Sequence, residues 1–528
     1  MIKRFQTVAV VAASLAAGAC QDLTEVPSDF VTPERFYRNE ADALAAVNAA
    51  YASFVTLPSP LSSSDYVGRN FWMLVEYPTE VTTSRLSAGN ERSHIGNFNP
   101  QFSSVHTYLG PLWLAAYAGI NRANTVIDRV PAIPMDTLRR ARIVGEAKFL
   151  RALHYYWLAG LFGGVPLKLT ETRSIEEAAL ARATVEETWE QIGKDLSEAA
   201  AVLPQSWPPA DYGRATRGAA LTLLGKAYLH SAATVPALSG NYQQALDAFR
   251  TVQTLGYSLD PNYASLFDGS NERSPEIIFS LQHIRVDGLG GRISEWFAPI
   301  TNPQIFPPGA QNQFQAERPF YDSYHPLDMR KAATWLTSFT NSGKTVTWSW
   351  TPGIETQSNY GSTGPAPRKY LDLAAPDGGA EAPDYILLRY ADVLLSMAEA
   401  INAISGPTVE AYALVDQVRA RAQVPNLTPG LGADAFRDSL FTERRFELAL
   451  ELHGVFDSRR NWPWAKARVA ANMAQIGTLN QKPFTSSVEK FDARPIPDKW
   501  RLYPIPLRAC ELNELLTQNP GWSDGVCK

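Results

Sequence analysis

Apolar side chains recur every three or four positions through most of this chain, and this spacing predicts a mainly α-helical protein. The clearest stripe lies in residues 136–162, where Leu150, Trp157 and Leu161 fall on one helical face. A Gly-Gly-Val-Pro sequence ends this segment, because glycine and then proline interrupt a helix. The other helices that the same spacing predicts are, in chain order, 40–55, 111–130, 184–203, 215–231, 241–255, 384–403, 407–422 and 433–453.

Residues 219–261 have the spacing of a tetratricopeptide unit, a pair of helices that stacks on its neighbours. Gly225 and Ala245 are the small residues that let the two helices approach closely, while Tyr228 and Phe249 fill the space beside them. The pattern therefore predicts a scaffold of stacked helix pairs. Further pairs of this kind, with weaker matches to the motif, are predicted at 111–162, 184–231 and 384–422.

Two long segments, residues 57–110 and 285–382, lack helical periodicity and are rich in glycine, proline, serine, asparagine and aromatic residues. Stretches of this length without regular structure are usually functional or form a subdomain. Within the second segment, residues 345–351 alternate between hydroxyl-bearing and apolar side chains, which predicts a strand with Val346 and Trp348 on one face. We therefore expect a loop-rich second layer with small strands beside the helical scaffold.

The N-terminus has the layout of a secretory signal peptide. Two basic residues precede a short apolar run at 8–15, and small residues lead directly into Cys20. The apolar run is too short to cross a bilayer, which takes about 20 residues. We predict a signal peptide over 1–19, a lipid on Cys20, and a polar tether over 20–35; an ordinary signal peptide with Ala-x-Ala cleavage is the alternative.

The composition is that of a globular protein. Of the 528 residues, 45% are hydrophobic and 19% are charged, and the formal net charge is −5. The chain therefore lacks the basic excess of a nucleic-acid-binding protein, and we predict no nucleic-acid partner. Cys510 and Cys527 lie in a chain predicted to be exported, where disulfides form, but the sequence leaves open whether these two cysteines are bonded.

Acidic side chains raise the question of catalysis. Glu443, Glu447 and Glu451 follow one another at intervals of four, so a helix would place them on one face. They would suit either the carboxylate pair of a surface hydrolase or a set of ion pairs between helices, and the arginines among them favour the ion pairs. The seven histidines are scattered, and His154 lies on an apolar stripe that predicts a core position. We find no zinc, calcium, nucleophile or phosphate-loop motif, and we predict no catalytic residue, metal or cofactor.

Five groups of short motifs follow one another along the chain. They are GEAKFLRA at 145–152 with Tyr155, Tyr156 and FGGVPL at 162–167; PEIIFS at 275–280; LRYADVLL at 388–395 with AEA at 398–400 and VRARA at 418–422; ERR at 443–445 with Glu447, Leu448, Glu451, Phe456, Asp457 and Arg460; and YPIP at 503–506 with Glu511, Asn513 and QNPGW at 518–522.

In this order and at these spacings the motifs resemble those of the SusD/RagB family of nutrient-uptake lipoproteins. The resemblance runs from the N-terminal cysteine nearly to the C-terminus. Two positions depart from the family pattern: Leu452 stands where glycine is usual, and Ser458 stands where an apolar residue is usual. These motifs belong to the scaffold in the family, so the departures put no function in doubt.

The resemblance implies an outer-membrane lipoprotein that faces the cell exterior, captures an oligosaccharide or similar nutrient, and delivers it to a SusC-like TonB-dependent transporter barrel. It implies no enzyme activity. The implied arrangement is one SusD-like unit over 36–528, with a tetratricopeptide-like scaffold at 36–56, 111–282 and 384–460, a loop-rich ligand layer at 57–110 and 285–382, and a C-terminal segment at 461–528.

Aromatic residues in the loop-rich segments are the candidates for ligand binding. A Trp ring stacks on the apolar face of a sugar, and amide or guanidinium groups satisfy its hydroxyls. We select Trp72, Asn99, Trp296 and Trp348, each of which would otherwise be local core beneath a loop. Arg85 and Arg92 leave an acidic glycan or a peptide open as ligands. A tetratricopeptide-type interaction scaffold and, less favoured, a surface hydrolase remain alternative functions.

Overall fold

A computed structural model confirms the mainly α-helical fold with small strands. Within the described part of the chain, no helix has both the length and the apolar character needed to cross a membrane. The residues described are 36–55, 66–84, 91–96, 98–174, 176–286, 288–299, 310–341, 343–347, 365–375, 379–478, 496–523 and 527.

Helices make up most of the described chain. They are α1 (Glu40–Ala52), α2 (Asn70–Glu76), α3 (Glu91–Gly96), α4 (Leu109–Arg129), α5 (Thr137–Phe162), α6 (Val185–Val202), α7 (Arg217–Thr234), α8 (Asn241–Gln253), α9 (Ile293–Phe297), α10 (Arg318–Asp322), α11 (Arg330–Thr334), α12 (Tyr390–Ser405), α13 (Val409–Arg421), α14 (Ala433–Glu447), α15 (Gly454–Arg460), α16 (Trp462–Thr478) and α17 (Leu507–Leu512).

Side chains at the ends of the long helices explain where those helices start and stop. Asp136 accepts a hydrogen bond from the backbone N–H of Arg139 at the start of α5. Thr184 and Glu187 form a reciprocal capping box at the start of α6. Gly163 has a φ of 78°, which ends α5 because side-chain-bearing residues rarely adopt that conformation.

The long helices pack in sequence, which is the arrangement expected of stacked helix pairs. Helix α5 packs against both α4 and α6, and α7 packs against α6 and α8. Helix α12 then packs against both α8 and α13. In the pair α7–α8, a Cβ added at Gly225 would lie 2.5 Å from Cε1 of Phe249. Both Phe249 and Ala245 are fully buried. The predicted roles of the small and large residues in this unit are therefore confirmed.

One predicted helix begins too early. Residues 384–389 were assigned to the helix at 384–403, but Tyr385–Arg389 is a strand, and α12 begins only at Tyr390. All five strand residues are buried, and the four before Arg389 are apolar or aromatic, so the sequence has no period that separates strand from helix. Antiparallel pairing with Ile277–Leu281 decides in favour of the strand.

Short antiparallel strand pairs complete the described structure. The pairs are β1 (Thr82–Ser84) with β3 (Phe314–Ala316), β2 (Ile277–Leu281) with β8 (Tyr385–Arg389), β4 (Trp335–Leu336) with β7 (Ala366–Pro367), and β5 (Ser338–Asn341) with β6 (Lys344–Thr347).

The β1–β3 pair joins the two loop-rich segments. Around it, the hydroxyl of Tyr77 donates to the carbonyl of Gln313 at 2.8 Å, and the hydroxyl of Thr82 donates to the carbonyl of Gln315 at 2.7 Å. The strand predicted at 345–351 is observed as the hairpin strand β6, and Trp348 and Trp350 lie outside the described residues. Segments far apart in sequence thus form one layer.

A network of buried ion pairs fixes β8 against α14. Arg389 donates through Nη1 to Glu276 at 2.8 Å and to Glu447 at 2.5 Å, and through Nε to Glu451 at 2.6 Å. The same carboxylates also bind other buried cations; the remaining pairs include Arg330 with Asp328, Glu443 and Glu447, Arg421 with Glu276 and Glu447, Arg419 with Glu443, and Lys369 with Glu451. The ion-pair interpretation of these acidic residues is therefore confirmed.

The prediction that Glu451 shares a helix face with Glu443 and Glu447 is wrong. Helix α14 ends at Glu447, and the chain then turns through left-handed conformations at Leu450 (φ 60°) and Leu452 (φ 63°). Glu451 reaches the network from this turn. The positive φ also explains why glycine is usual at position 452 in the family pattern, since glycine adopts it without steric cost.

A second buried network lies around Arg444. Its Nη2 donates to Asp392 at 2.8 Å and its Nε to Asp457 at 2.9 Å, while Lys226 binds Asp392 from α7. Burial by itself raises the pKa of Asp392, but the cations Lys226 and Arg444 hold it well below its usual range. The network therefore joins α7, α12, α14 and α15 through charged groups.

The C-terminal segment folds back onto the first loop-rich segment. Phe102 lies 4.7 Å from Trp500 and 5.7 Å from Trp522, measured between ring centres. The structure pairs Cys510 with Cys527 in a disulfide, which closes the C-terminal segment on itself. Cys20 lies outside the described residues.

Candidate ligand-binding site

Two arginines from the first loop-rich segment meet aromatic rings where the two segments join. Arg69 directly precedes α2, and its guanidinium carbon lies 4.8 Å from the centre of the Trp296 ring and 5.4 Å from that of the Tyr108 ring. Trp296 belongs to α9 in the second segment. Stacking of this kind is favourable because the ring face is negative and the guanidinium is a planar cation.

Arg92 forms the second link between the segments. Its Nε donates to the hydroxyl of Tyr108 at 2.7 Å, and its Nη1 donates to Oε1 of Gln313. The backbone N–H of Gln313 in turn donates to the carbonyl of Trp296 at 2.7 Å. Arg69, Arg92, Tyr108, Trp296 and Gln313 therefore form one connected group, which we call the arginine–aromatic cluster.

Some polar atoms beside the cluster have no hydrogen-bond partner among the described residues. Nε1 of Trp296 and both polar side-chain atoms of Asn312 are buried without a hydrogen bond to any described residue. The backbone N–H of Asn312 donates to the carbonyl of Ala298 at 2.9 Å, which places it close to the end of α9. Buried donors and acceptors of this kind gain free energy from any hydroxyl-bearing group that reaches them.

A histidine, His106, packs against Tyr108 of the cluster. The ring of His106 lies 5.2 Å from that of Tyr108, and its Nε2 is 2.9 Å from the carbonyl oxygen of Glu91. Burial lowers the pKa of His106, with hydrogen bonding to Glu91 acting in the opposite direction. At neutral pH the positive charge of this region therefore comes from the two arginines.

The structure changes the assignment of Trp72. Its side chain is 1% exposed and makes edge-to-face contacts with Phe297, Tyr370 and Tyr385, at 5.5, 5.6 and 5.9 Å between ring centres. This ring therefore packs in the core beneath the loops and has no face to offer a ligand, because α2 is buried along its whole length. Trp72 supports the layer from below.

The other three candidates lie in different places. Trp296 belongs to the cluster, although its side chain is only 7% exposed because Arg69 covers it. Asn99 is half-buried, and its Oδ1 accepts a hydrogen bond from the backbone N–H of Gln101 at 2.8 Å. Trp348 lies outside the described residues. Sequence reasoning did not select Arg69, Tyr108 or Gln313, because nothing local in the sequence marks which arginine meets which ring.

Within the described part of the chain, no group of three or more His, Cys, Asp or Glu side chains is placed to hold a metal ion. The buried acids of the two ion-pair networks are bound to arginine and lysine. The guanidinium groups and rings of the cluster offer hydrogen bonding and stacking.

Known sequences match most of the chain. A family model described as the SusD family matches residues 239–522, more than half of the chain, and one described as starch-binding associating with outer membrane matches residues 62–229. The SusD-like protein P2 of Formosa agariphila is 26% identical over 531 residues, which span 95% of this chain and 97% of that protein.

Solved structures agree with the sequence comparison. A SusD homologue from Bacteroides thetaiotaomicron has a TM-score of 0.78 at 22% identity, over 93% of this chain and 98% of that one. A laminarin-binding SusD-like protein has a TM-score of 0.69 at 25% identity, over 92% of this chain and 100% of that one. With more than half of its length matched by the family model, this chain belongs to the SusD family.

Proposed function

We propose that this protein is a lipid-anchored, carbohydrate-binding protein of the outer-membrane surface that captures an oligosaccharide and delivers it to a TonB-dependent transporter. The observation that carries the proposal is the arginine–aromatic cluster, which joins the two loop-rich segments with stacked rings and guanidinium donors. Relatives named for binding laminarin and starch, and the predicted lipid on Cys20, support it.

The side chains of the cluster suit a ligand rich in hydroxyl groups. Arg92 and Gln313 hold each other in a fixed geometry, so the side chains of the cluster are oriented before a ligand arrives. The indole N–H of Trp296 is buried and has no partner among the described residues, so a hydroxyl that reaches it gains a hydrogen bond. The binding step needs no bond to be broken, and we propose no catalytic role for any residue.

Replacing Arg92 with alanine is expected to weaken oligosaccharide binding at least tenfold, because Arg92 orients Tyr108 and Gln313 through charge-assisted hydrogen bonds, which contribute about 1.5–3 kcal/mol each. The measurement is isothermal titration calorimetry of the mature protein with laminarihexaose, maltohexaose and cellohexaose. Arg250→Ala is the matched control, since Arg250 is exposed on α8 and pairs only with Glu410 among the described residues. Equal affinity for both variants and the parent protein would contradict a role for the cluster.

The transporter partnership is tested with the protein in its own membrane. Tagged full-length protein extracted in mild detergent is expected to bring a β-barrel of the TonB-dependent type with it in about equal amounts. A Cys20→Ala variant is the control, because it is expected to leave the membrane fraction if Cys20 carries the anchor. Recovery of the protein alone, together with failure of cross-linking in intact cells, would refute the partnership and favour a tetratricopeptide-type interaction scaffold.

A further inference from the structure

A pair of adjoining clefts lies on the scaffold, built from residues outside the arginine–aromatic cluster. The loop between α6 and α7 stands over strand β2, and Tyr212 projects from it. Tyr212 lines two clefts, one of about 340 Å³ and one of about 350 Å³. Both clefts share Tyr212, Gly213, Arg214, Phe279 and Ser280 as walls. The two clefts are therefore neighbours, and Tyr212 contributes to both.

Two aromatic rings in the first cleft, those of Trp207 and Tyr212, are held by hydrogen bonds from their polar atoms to backbone carbonyls. Nε1 of Trp207 donates to the carbonyl of Ala215 at 2.8 Å, and the hydroxyl of Tyr212 donates to the carbonyl of Glu272. Both rings are therefore fixed before any ligand arrives. Tyr212 is 39% exposed, so part of its surface remains open to solvent.

The backbone of the loop is also fixed. Gly213 has a φ of 92°, and a Cβ placed there would lie 2.5 Å from Cγ of Gln282, so the loop sits directly on the chain that follows β2. Pro208 and Pro209 restrict the backbone just before Tyr212. A rigid ring beside a recess binds a flat ligand with little loss of conformational entropy.

The charges around the clefts are largely neutralised. Arg214 forms ion pairs with Glu146 and Asp211, each at 3.0 Å. Arg273 stacks on Tyr212, with its guanidinium carbon 4.8 Å from the ring centre, and forms no ion pair with any described residue. It can therefore donate hydrogen bonds at the rim of the first cleft. Glu272 and Asp384 also lie near enough to act electrostatically on Tyr212, so an acidic ligand would meet these carboxylates, whereas the hydroxyls of a neutral sugar can accept hydrogen bonds from Arg273.

We propose that the two clefts that share Tyr212 form a second carbohydrate-binding site, which takes a neutral oligosaccharide with one sugar ring in each cleft. The apolar faces of the sugars contact Trp207, Phe279 and the exposed part of Tyr212 that Arg273 leaves open, and Arg273 and Gln205 bind hydroxyls at the rim. This inference rests on the proposed function, that the protein binds oligosaccharides. It adds a site on the helical scaffold, so that a long glycan contacts the protein at two places.

The test is calorimetric titration of the mature protein with laminarihexaose, maltohexaose, cellohexaose and trigalacturonic acid. We expect two binding events for at least one neutral hexasaccharide. Tyr212→Ala should raise the Kd of one event about tenfold and leave the other unchanged, and Arg92→Ala should do the reverse. Tyr212→Phe keeps the ring and should keep both events, which separates loss of stacking from loss of the loop. Arg217→Ala, an exposed change at the start of α7, is the control.

The outcomes distinguish this inference from the proposed function. A single event that Arg92→Ala weakens and Tyr212→Ala leaves intact would overturn the second site and keep the proposed function. Binding at the Tyr212 clefts of trigalacturonic acid in preference to all neutral sugars would overturn the neutral class. If no sugar binds the parent protein at any concentration tested, the proposed function itself fails, and the second site fails with it.

Discussion

Replacing Arg389 with methionine is expected to lower the free energy of unfolding by about 3–5 kcal/mol, the range found when one partner of a buried ion pair is removed. The loss is large because Arg389 donates to three carboxylates, those of Glu276, Glu447 and Glu451, which are all fully buried. Methionine fills similar volume but leaves these acids with fewer cations. The cost is therefore mainly electrostatic.

The electrostatics of Glu447 show how strongly the network depends on its arginines. Burial alone raises the pKa of Glu447, but the guanidinium groups of Arg421, Arg389 and Arg330 outweigh it and hold the pKa well below the usual range. Without Arg389, fewer cations offset the effect of burial on the pKa of Glu447. The acid then either takes up a proton on folding or stays charged with less compensation, and both reduce stability.

Urea denaturation of the parent protein and the variants measures the effect. Arg389→Lys keeps the charge but loses the planar, forked guanidinium group. Its free energy of unfolding should therefore lie between those of the parent and of Arg389→Met. Arg250→Met is the control: Arg250 and Glu410 form an ion pair in which each side chain is 49% exposed, and such pairs contribute less than about 1 kcal/mol. A change below about 1 kcal/mol for Arg389→Met would show that the network relaxes around the loss.

Much of the scaffold could be predicted because it depends on local signals. The stripe in 136–162, the cap at Thr184 and the close approach at Gly225 each need only a few neighbouring residues to be recognised. The helix predicted at residues 385–389 was wrong because a fully buried strand and a buried helix have similar apolar compositions. The partner that decides the matter, β2, lies more than a hundred positions earlier in the chain.

The candidate site was less predictable for the same physical reason. Sequence composition pointed to the two loop-rich segments, and the structure joins them through β1 and β3. Within those segments, however, a tryptophan packed among other rings and a tryptophan stacked on an arginine have the same sequence signature. Trp72 packs against Phe297, and Trp296 stacks on Arg69. Each contact joins residues far apart in the chain. Such pairings depend on the assembled layer, so periodicity and composition leave them open.

A buried histidine gives this protein a specific sensitivity to acid. His154 lies on the buried face of α5, next to the end of α1. Its Nδ1 is 2.7 Å from the hydroxyl of Tyr66, its Nε2 is 3.1 Å from the hydroxyl of Ser53, and its ring is stacked 4.2 Å from that of Phe54. The core position predicted for it is confirmed. Burial, with a smaller contribution from the charge of Arg122, lowers the pKa of His154 to about 3.

Below pH 6.5 the unfolded chain protonates this histidine while the folded chain does not, so stability falls as the pH falls toward 3. The slope is about 1.4 kcal/mol per pH unit, which gives a loss of about 2 kcal/mol at pH 5. His154→Gln, which retains hydrogen-bonding atoms but does not titrate, should remove that part of the loss. Urea unfolding of both proteins at pH 7.5 and pH 5.0 measures it as a double difference.

The double difference isolates His154 from the other buried groups that titrate in this range. Burial lowers the pKa of His283 to about 4 and raises that of Asp384 to about 7, and these shifts act on stability in opposite directions as the pH falls. Both groups are present in the parent and in His154→Gln, so their contributions cancel. Identical pH dependence of the two proteins would mean that His154 gains a proton in the folded core, and that its contacts with Tyr66 and Ser53 adapt to the charge.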